Sequence, residues 1–422
     1  MSEKIKFAVI GVSGRGSGMA LELQSVEGVE IVAVCDLYQD RVDDMIKRFD
    51  EECGFRPDGY TDYKEMIKRE DIGAVMISTT WITHSRIAVD CMKAGKHVGM
   101  EVGGAASIEE CWELVRTSEE TGKFCMLLEN CCYDRFEMAL FNMKRQGLFG
   151  EVVHTQGAYQ HDLRDEIVLG RENRHGRLYN FMNRDGEVYP THQLGPICKL
   201  LDINRGNRMV SVVSMSSKAR GLNQWIKDNK GEDYDLYGYD FTLGDVVTTM
   251  IKCAHGETIL LTHECSLPRP YSRGYRIDGT KGMYTEDDNQ IYIEGRSPQH
   301  EFERVEPYIE EFEHPLWKEY FQKGVHEAGH GGMDFLVLSA FAEAALNDTK
   351  PPIDVYDTAA WMAVTCLSEQ SIATGSHPIA FPDFTNGMWI DREPYRRGRY
   401  CLDEICPEYY DIKEESKEDK AE

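Results

Sequence analysis

A glycine cluster follows directly on an apolar run near the start of this chain, and that order can hold a phosphate. Lys6-Phe7-Ala8-Val9-Ile10 is the run and Gly11-Val12-Ser13-Gly14-Arg15-Gly16-Ser17-Gly18 is the cluster. A second apolar run, Ile31-Val32-Ala33-Val34-Cys35, ends on Asp36. Strand, glycine turn, helix, strand and acid in that order form a dinucleotide fingerprint. Glycines let the backbone approach a pyrophosphate, a helix N-terminus faces its charge, and the acid binds the ribose hydroxyls. The match to G-x-G-x-x-G from Gly11 is imperfect, with Ser13 in the middle and Gly16 last. A tight turn without phosphate is the plainer alternative. Asp36 favours NAD over NADP, because a carboxylate repels a 2′-phosphate.

Other residues could move protons. Tyr189 and His192 bracket Pro190 and Thr191, and both can face one ligand if the segment turns helically. Histidine titrates near neutrality and suits general acid–base transfer. Tyrosine starts near a pKa of about 10 and needs a depressing neighbour, for which Arg177 is the candidate. The plainer alternative is that both rings satisfy a buried turn. Glu129 is either a perturbed carboxylate or the cap of a helix beginning near Tyr133. His326-Glu327-Ala328-Gly329-His330 fits H-E-x-x-H, which on a helix makes two zinc ligands and a base. Gly329, Gly331 and Gly332 crowd its second histidine, and each glycine costs a helix about 1 kcal/mol relative to alanine. A loop is expected there, and no metal is assigned.

Such residues need a scaffold. At 422 residues the chain suggests two domains. Residues 5–146 alternate short apolar strands, near 5–10, 30–35, 73–78, 97–100 and 124–128, with helical stretches. This is an α/β pattern, a Rossmann dinucleotide-binding domain with a doubly wound parallel sheet over residues 1–150. Residues 151–412 read as an α+β domain with a mostly antiparallel open sheet, from runs at Val210–Met215, Asp245–Cys253, Thr258–Cys265, Gly274–Gly279 and Gln290–Glu294. Long loops are expected over 164–190 and 218–240. Late helices are expected at Met333–Asn347 and Asp357–Ala373, where they can pack back on the first domain. Residues 413–422 are a charged tail.

Composition narrows the partners. A formal charge of −26 repels nucleic acid and anionic lipid, and no apolar stretch approaches a membrane span. Met1-Ser2-Glu3-Lys4 runs straight into the first strand, with no signal-peptide pattern. The thirteen cysteines lack a disulfide rhythm, so reduced thiols in a cytoplasm are expected.

Longer strings carry a resemblance. They include Thr80-Trp81-Ile82-Thr83-His84, Ala94-Gly95-Lys96-His97-Val98-Gly99-Met100-Glu101-Val102 and Leu128-Glu129-Asn130-Cys131-Cys132-Tyr133. Gly157-Ala158-Tyr159-Gln160-His161-Asp162, Tyr189-Pro190-Thr191-His192, Arg269-Pro270-Tyr271 and Gly329-His330-Gly331-Gly332-Met333-Asp334 follow. The A-G-K-H-V run followed by an acid resembles the glucose-fructose oxidoreductase / inositol dehydrogenase superfamily. Its usual E-K-P, with a catalytic lysine, reads Glu101-Val102-Gly103 here. With the Y-P-T-H and R-P-Y strings, the chain resembles glycoside hydrolase family 109, whose known members are NAD-dependent α-N-acetylgalactosaminidases. The resemblance runs from about residue 5 to residue 390.

The resemblance implies roles. Gly11, Gly14, Arg15 and Gly16 meet the pyrophosphate, and Asp36 the ribose. Trp81, Ile82, Thr83, His84, Glu101, Val102 and Asn130 match further cofactor contacts. Tyr159, Arg177, the Tyr189–His192 segment and Tyr271 match sugar-binding positions. Taken alone, Tyr159 and Tyr271 read as core or sugar-stacking residues. His192, Tyr189 and Glu129 are the candidate catalysts. The implied reaction oxidises C3 of the sugar with NAD, removes the C2 proton, expels the C1 aglycone, adds water and reduces C3 again. The alternative is a sugar 3-dehydrogenase releasing a 3-keto glycoside; a third is a protein that keeps NAD only as structure. The superfamily implies a homo-oligomer, dimer or tetramer. A proline usually precedes the tryptophan in relatives, where Thr80 stands here.

Overall fold

The computed structural model describes residues 4–322, 329–396 and 398–410. Strands β1 (Ile5–Ile10), β2 (Val29–Cys35), β3 (Asp58–Tyr60), β4 (Ala74–Ile77), β5 (His97–Met100) and β6 (Cys125–Leu127) form one sheet. Their order is β3-β2-β1-β4-β5-β6, and every neighbouring pair is parallel. The apolar runs are continuous because helices cover both faces; β4, β5 and β6 are buried at every position. Strand order reverses between β1 and β4, and a crevice opens beyond their carboxyl ends. The short edge strand β3, Asp58-Gly59-Tyr60, has no apolar run to betray it.

The second sheet has nine strands among the described residues. These are β7 (Val152–Gln160), β8 (Met209–Ser216), β9 (Val247–Cys253), β10 (Thr258–Glu264), β11 (Arg276–Gly279), β12 (Gly282–Thr285), β13 (Gln290–Ile293), β14 (Glu303–Arg304) and β15 (Ile379–Ala380). They lie in the order β14-β13-β12-β11-β7-β10-β9-β8-β15. Only β7 and β10 pair in parallel. Strand β7 was absent from the sequence expectation. Its polar residues His154, Thr155 and Gln156 hide the alternation, yet it is the central strand and delivers Tyr159.

The expected loops need correction. Helices Arg164–Val168 and Arg177–Asn183 occupy the first, and Gly221–Asn229 the second. They are too short to show a helical period. The late helices, Met333–Asn347 and Val355–Ala373, pack on the first sheet. Phe341 meets Phe7 edge-on at 5.4 Å, and Thr358 Oγ1 accepts from the Leu127 amide of β6 at 3.1 Å. The charged tail at 413–422 lies outside the described residues. No described helix is long and apolar enough to cross a membrane.

Candidate active site

One cavity of about 970 Å³ runs from the glycine turn to the second domain. Gly11, with φ +89°, turns the chain under Ser78; a Cβ there would stand 2.2 Å from the Ser78 carbonyl oxygen. A Cβ at Gly16 would stand 2.1 Å from the Gly11 carbonyl, so Gly16 closes the turn from beneath. A Cβ at Gly14 would meet nothing within 4 Å. The turn therefore leaves open space over the N-terminus of the Gly14–Ser25 helix, where no side chain caps the backbone amides. Asp36 is buried at the end of β2 and accepts from the Val12 amide at 3.0 Å. Open glycine, unused amides and ribose acid fit a dinucleotide.

Arg15 is tied down on three sides. Its Nε donates to Glu101 Oε2 at 3.1 Å, and both its terminal nitrogens donate to Asp334. Asn130 Nδ2 also donates to Asp334, at 2.7 Å. Asp334 opens the Met333–Asn347 helix and is almost wholly buried. It was visible only as the last letter of a glycine-rich string. His330 Nδ1 lies 2.7 Å from Asp334 Oδ2. Its backbone, φ 49° and ψ 44°, is left-handed, so no regular helix passes through the second histidine of H-E-x-x-H. His326 and Glu327 lie outside the described residues.

The Trp81–Lys93 helix starts at the cavity wall. Gly103, at φ +152°, lets Trp81 approach so closely that a Cβ would stand 2.6 Å from its ring. That contact accounts for glycine in place of the proline of E-K-P. His84 is fully buried beside Thr79, whose carbonyl lies 2.9 Å from Nε2. Burial pushes its pKa down to about 4, so it stays neutral and props the loop. Ile82 is 39% exposed and stands outside the cavity lining; Thr83 lines it.

At the far end lies an aromatic cluster. The Tyr189 ring is 4.8 Å from Trp81, 4.5 Å from Tyr159 and 5.0 Å from His192. The Arg177 guanidinium lies 5.2 Å from the Trp81 ring and 5.4 Å from the Tyr189 ring, and pairs with Glu166 at 2.9 Å. Tyr271 is half exposed, edge-on to Tyr159 at 6.2 Å. Pro190 and Thr191 are buried at the start of the Thr191–Leu200 helix and are not among the described residues lining the cavity. Tyr189 precedes that helix, and His192 is its second residue.

The helix expected to begin near Tyr133 starts at Arg135 and is capped by Asp134, not by Glu129. The Glu129 carboxylate accepts from the Cys131 amide at 3.2 Å, capping the short 3-10 turn Asn130–Tyr133. The same Oε1 is 2.7 Å from His192 Nδ1. Burial alone lowers the pKa of His192, but Cys131 and Glu129 outweigh it and hold it well above the ordinary histidine range. Burial raises the Cys131 thiol, so the Glu129 carboxylate is the charge that matters. Burial also opposes ionisation of Glu129, and His192 overcomes it, so its pKa falls. Tyr189 departs from expectation. Arg177 does lower its pKa, but burial, Tyr159 and Glu101 together raise it well above the ordinary value, so the phenol keeps its proton. Ligand atoms of Glu129, Cys131 and His192 lie within 4.8 Å of one another, the one such group among the described residues. The close His192–Glu129 contact would have to open to admit a metal, so the pair reads as an acid–base dyad.

Two family models divide the chain. Residues 5–128 match the oxidoreductase family with an NAD-binding Rossmann fold, and residues 133–391 match the C-terminal domain of glycosyl hydrolase 109. The chain belongs to glycoside hydrolase family 109. It is 40% identical over 413 residues to an α-N-acetylgalactosaminidase of Tannerella forsythia, covering 92% of this chain and 88% of that one. A family 109 protein of Solibacter usitatus is 42% identical over 397 residues, covering 92% and 90%. Among solved structures, levoglucosan dehydrogenase in complex with NADH aligns with a TM-score of 0.68 at 18% identity, covering 90% of this chain and all of that one. Scyllo-inositol dehydrogenase of Lactobacillus casei with bound NAD(H) and scyllo-inositol gives 0.62 at 14%, covering 90% and 99%. A glycosidase of family 109 thus stands on a dehydrogenase fold, and its cofactor is a nicotinamide dinucleotide.

Proposed function

We propose that the protein hydrolyses N-acetylgalactosaminides, or closely related small glycosides, by a redox-elimination cycle on bound NAD. The observation that carries this is the Glu129–His192 dyad in a cavity continuous with the glycine turn. When bound, NAD+ supplies a reversible two-electron acceptor for C3 of the sugar. Gly11, Gly14 and Arg15 would hold its pyrophosphate, Asp36 its ribose, and Glu101, Val102 and Asn130 its inner half. Asp36 supports NAD over NADP.

The protein's own residues move protons. A ketone at C3 acidifies the C2 hydrogen. Glu129 engages His192 Nδ1 and leaves Nε2 as the nitrogen that trades a proton, so His192 in its neutral form can take the C2 hydrogen. Tyr189, protonated, can donate to the sugar oxygen that gathers charge. Tyr159 and Arg177 fix the ring, and the exposed face of Tyr271 stacks at the mouth. Conventional hydrolysis needs a carboxylic acid and a carboxylate at the anomeric carbon. On the sugar side, Glu101 is tied to Arg15, Glu166 to Arg177 and Glu129 to His192. The second reading, a sugar 3-dehydrogenase, has less support because no lysine is among the described residues lining the cavity. Thirteen free cysteines, with Cys53 alone exposed, support a reducing compartment such as the cytoplasm.

The test is a chromogenic α-N-acetylgalactosaminide in heavy water, with no NAD added. Release of the aglycone with deuterium at C2 of the sugar is expected. Stoichiometric NADH without aglycone would establish the dehydrogenase. Aglycone release with only protium at C2, after proton return from a shielded base is excluded, would remove the elimination route.

A further inference from the structure

The second domain reaches back over the ribose end of the dinucleotide cavity. Asn173, Arg174, His175 and Gly176 line it together with Asp36 and Tyr38 of the first domain. Arg41 Nη2 donates to the carbonyls of Asn173 at 3.3 Å and Arg174 at 3.2 Å, while its Nη1 lies 3.8 Å from Asp36 Oδ1. Arg174 answers from the other side. Its Nη1 and Nη2 donate to Asp40 Oδ1 and Oδ2 at 3.0 and 2.6 Å. The Tyr38 ring contacts both guanidiniums, at 4.4 Å from Arg174 and 4.9 Å from Arg41. Arg174 holds a left-handed φ of 51°, a conformation a non-glycine residue keeps only when its surroundings hold it. Two residues on, Gly176 presses against the loop before Trp81; a Cβ there would stand 2.7 Å from Thr80 Cγ2. The next residue is Arg177, of the sugar site.

We propose that Asn173–Arg177 is a clasp that closes over the adenosine end of the bound dinucleotide, with Arg174 and Arg41 as its fastenings. This rests on the reading that a dinucleotide fills the cavity. A cofactor regenerated in every turnover has no reason to leave, and the clasp makes its exit wait on release by the second domain. Because the clasp runs directly into Arg177, the segment that retains the cofactor also sets one wall of the sugar pocket.

Dissociation of NADH is the measurement. Protein loaded with NADH is mixed with excess NAD+, and the decay of bound-NADH fluorescence gives the off-rate. Arg174→Ala and Asp40→Asn should each raise it by about five- to ten-fold, the worth of one exposed ion pair with a cation–π contact. The exchanged pair, Arg174→Asp with Asp40→Arg, should recover most of the retention. Added salt should speed release from the unaltered protein more than from Arg174→Ala, because screening weakens only an intact pair. Off-rates unchanged in both single variants, or raised and not recovered by the exchange, overturn the clasp. A protein that binds no NADH overturns the dinucleotide reading and the clasp with it.

Discussion

The imidazole of His192 faces a carboxylate that is wholly buried, and that pairing sets how the residue titrates. Glu129 holds the imidazolium against burial, so the neutral, base form of His192 gains ground only as pH rises above the ordinary histidine range. Turnover should therefore climb with pH on its acid side. Glu129→Gln keeps an acceptor for Nδ1–H but removes the charge, so the pKa of His192 falls and the rising limb moves to lower pH. Profiles of kcat against pH for the two proteins check this; an unmoved limb would show that Glu129 does not set the titration. His192→Ala should lower kcat by about 10² to 10⁴, the usual worth of general acid–base transfer, with bound dinucleotide retained. Tyr189→Phe keeps the contacts to Trp81 and Tyr159, so a comparable loss there marks the hydroxyl as chemical. Tyr189, Glu129 and His192 could be named from residue type and resemblance. The protonated state of the phenol could not, because it depends on burial, which outweighs Arg177. Asp334 was harder still. Its carboxylate meets Arg15 across 319 positions of chain, and no local pattern reports such a meeting.

At the scale of elements, strands announced by apolar runs were legible to within a residue or two, β1, β2 and β5 among them. Elements defined by their neighbours were not. Strand β7 is central in its sheet despite its polar residues, and the helices at 164–168 and 177–183 pack on each other, the first also on Gly221–Asn229. The loop after β5 shows what such placement does. Gly103 has no Cβ so that Trp81 can lie against it, and Trp81 in turn sets Tyr189 and Arg177. Gly103→Ala should push the indole aside and lower kcat/KM by about 10²-fold, the scale of a 1 Å misplacement, with little change in overall fold by circular dichroism. The segment before Tyr189 carries a second device. Burial pushes the Glu187 carboxyl up to about 8, while its backbone amide donates to Ser368 at 2.8 Å. A folded-state pKa above the unfolded one means stability that is complete below the ordinary carboxylate range and lost as pH climbs toward 8. Its size is on the order of a few kcal/mol. Glu187→Gln should flatten that decline in urea-unfolding free energies between pH 5 and 8.

At the scale of the whole molecule, the boundary drawn in sequence is not the boundary of the core. The two family models part between residues 128 and 133, yet the first sheet is completed by helices that arrive after residue 332. Phe341 fills the space left by Gly99, where a Cβ would stand 2.7 Å from its ring, and meets Phe7 and Phe124 edge-on at 5.4 and 6.1 Å. Thr365 packs on Gly104, and the Ala105 amide donates to the Met362 carbonyl at 3.2 Å. The late helices also carry Asp334, so the element that finishes the Rossmann core anchors the arginine of its glycine turn. The first 150 residues alone should then expose Phe7 and Phe124, bind a hydrophobic dye and fail to retain NADH. The full chain should unfold in one calorimetric transition that NADH shifts upward as a unit, since a ligand bound only by the native state stabilises everything that unfolds with its site. Phe341→Ala should remove roughly 3–5 kcal/mol, the cost of truncating a buried phenylalanine, and lower that single transition without splitting it. Two resolved transitions, with NADH moving only one and Phe341→Ala only the other, would separate the late helices from the cofactor domain and return the boundary to residue 150.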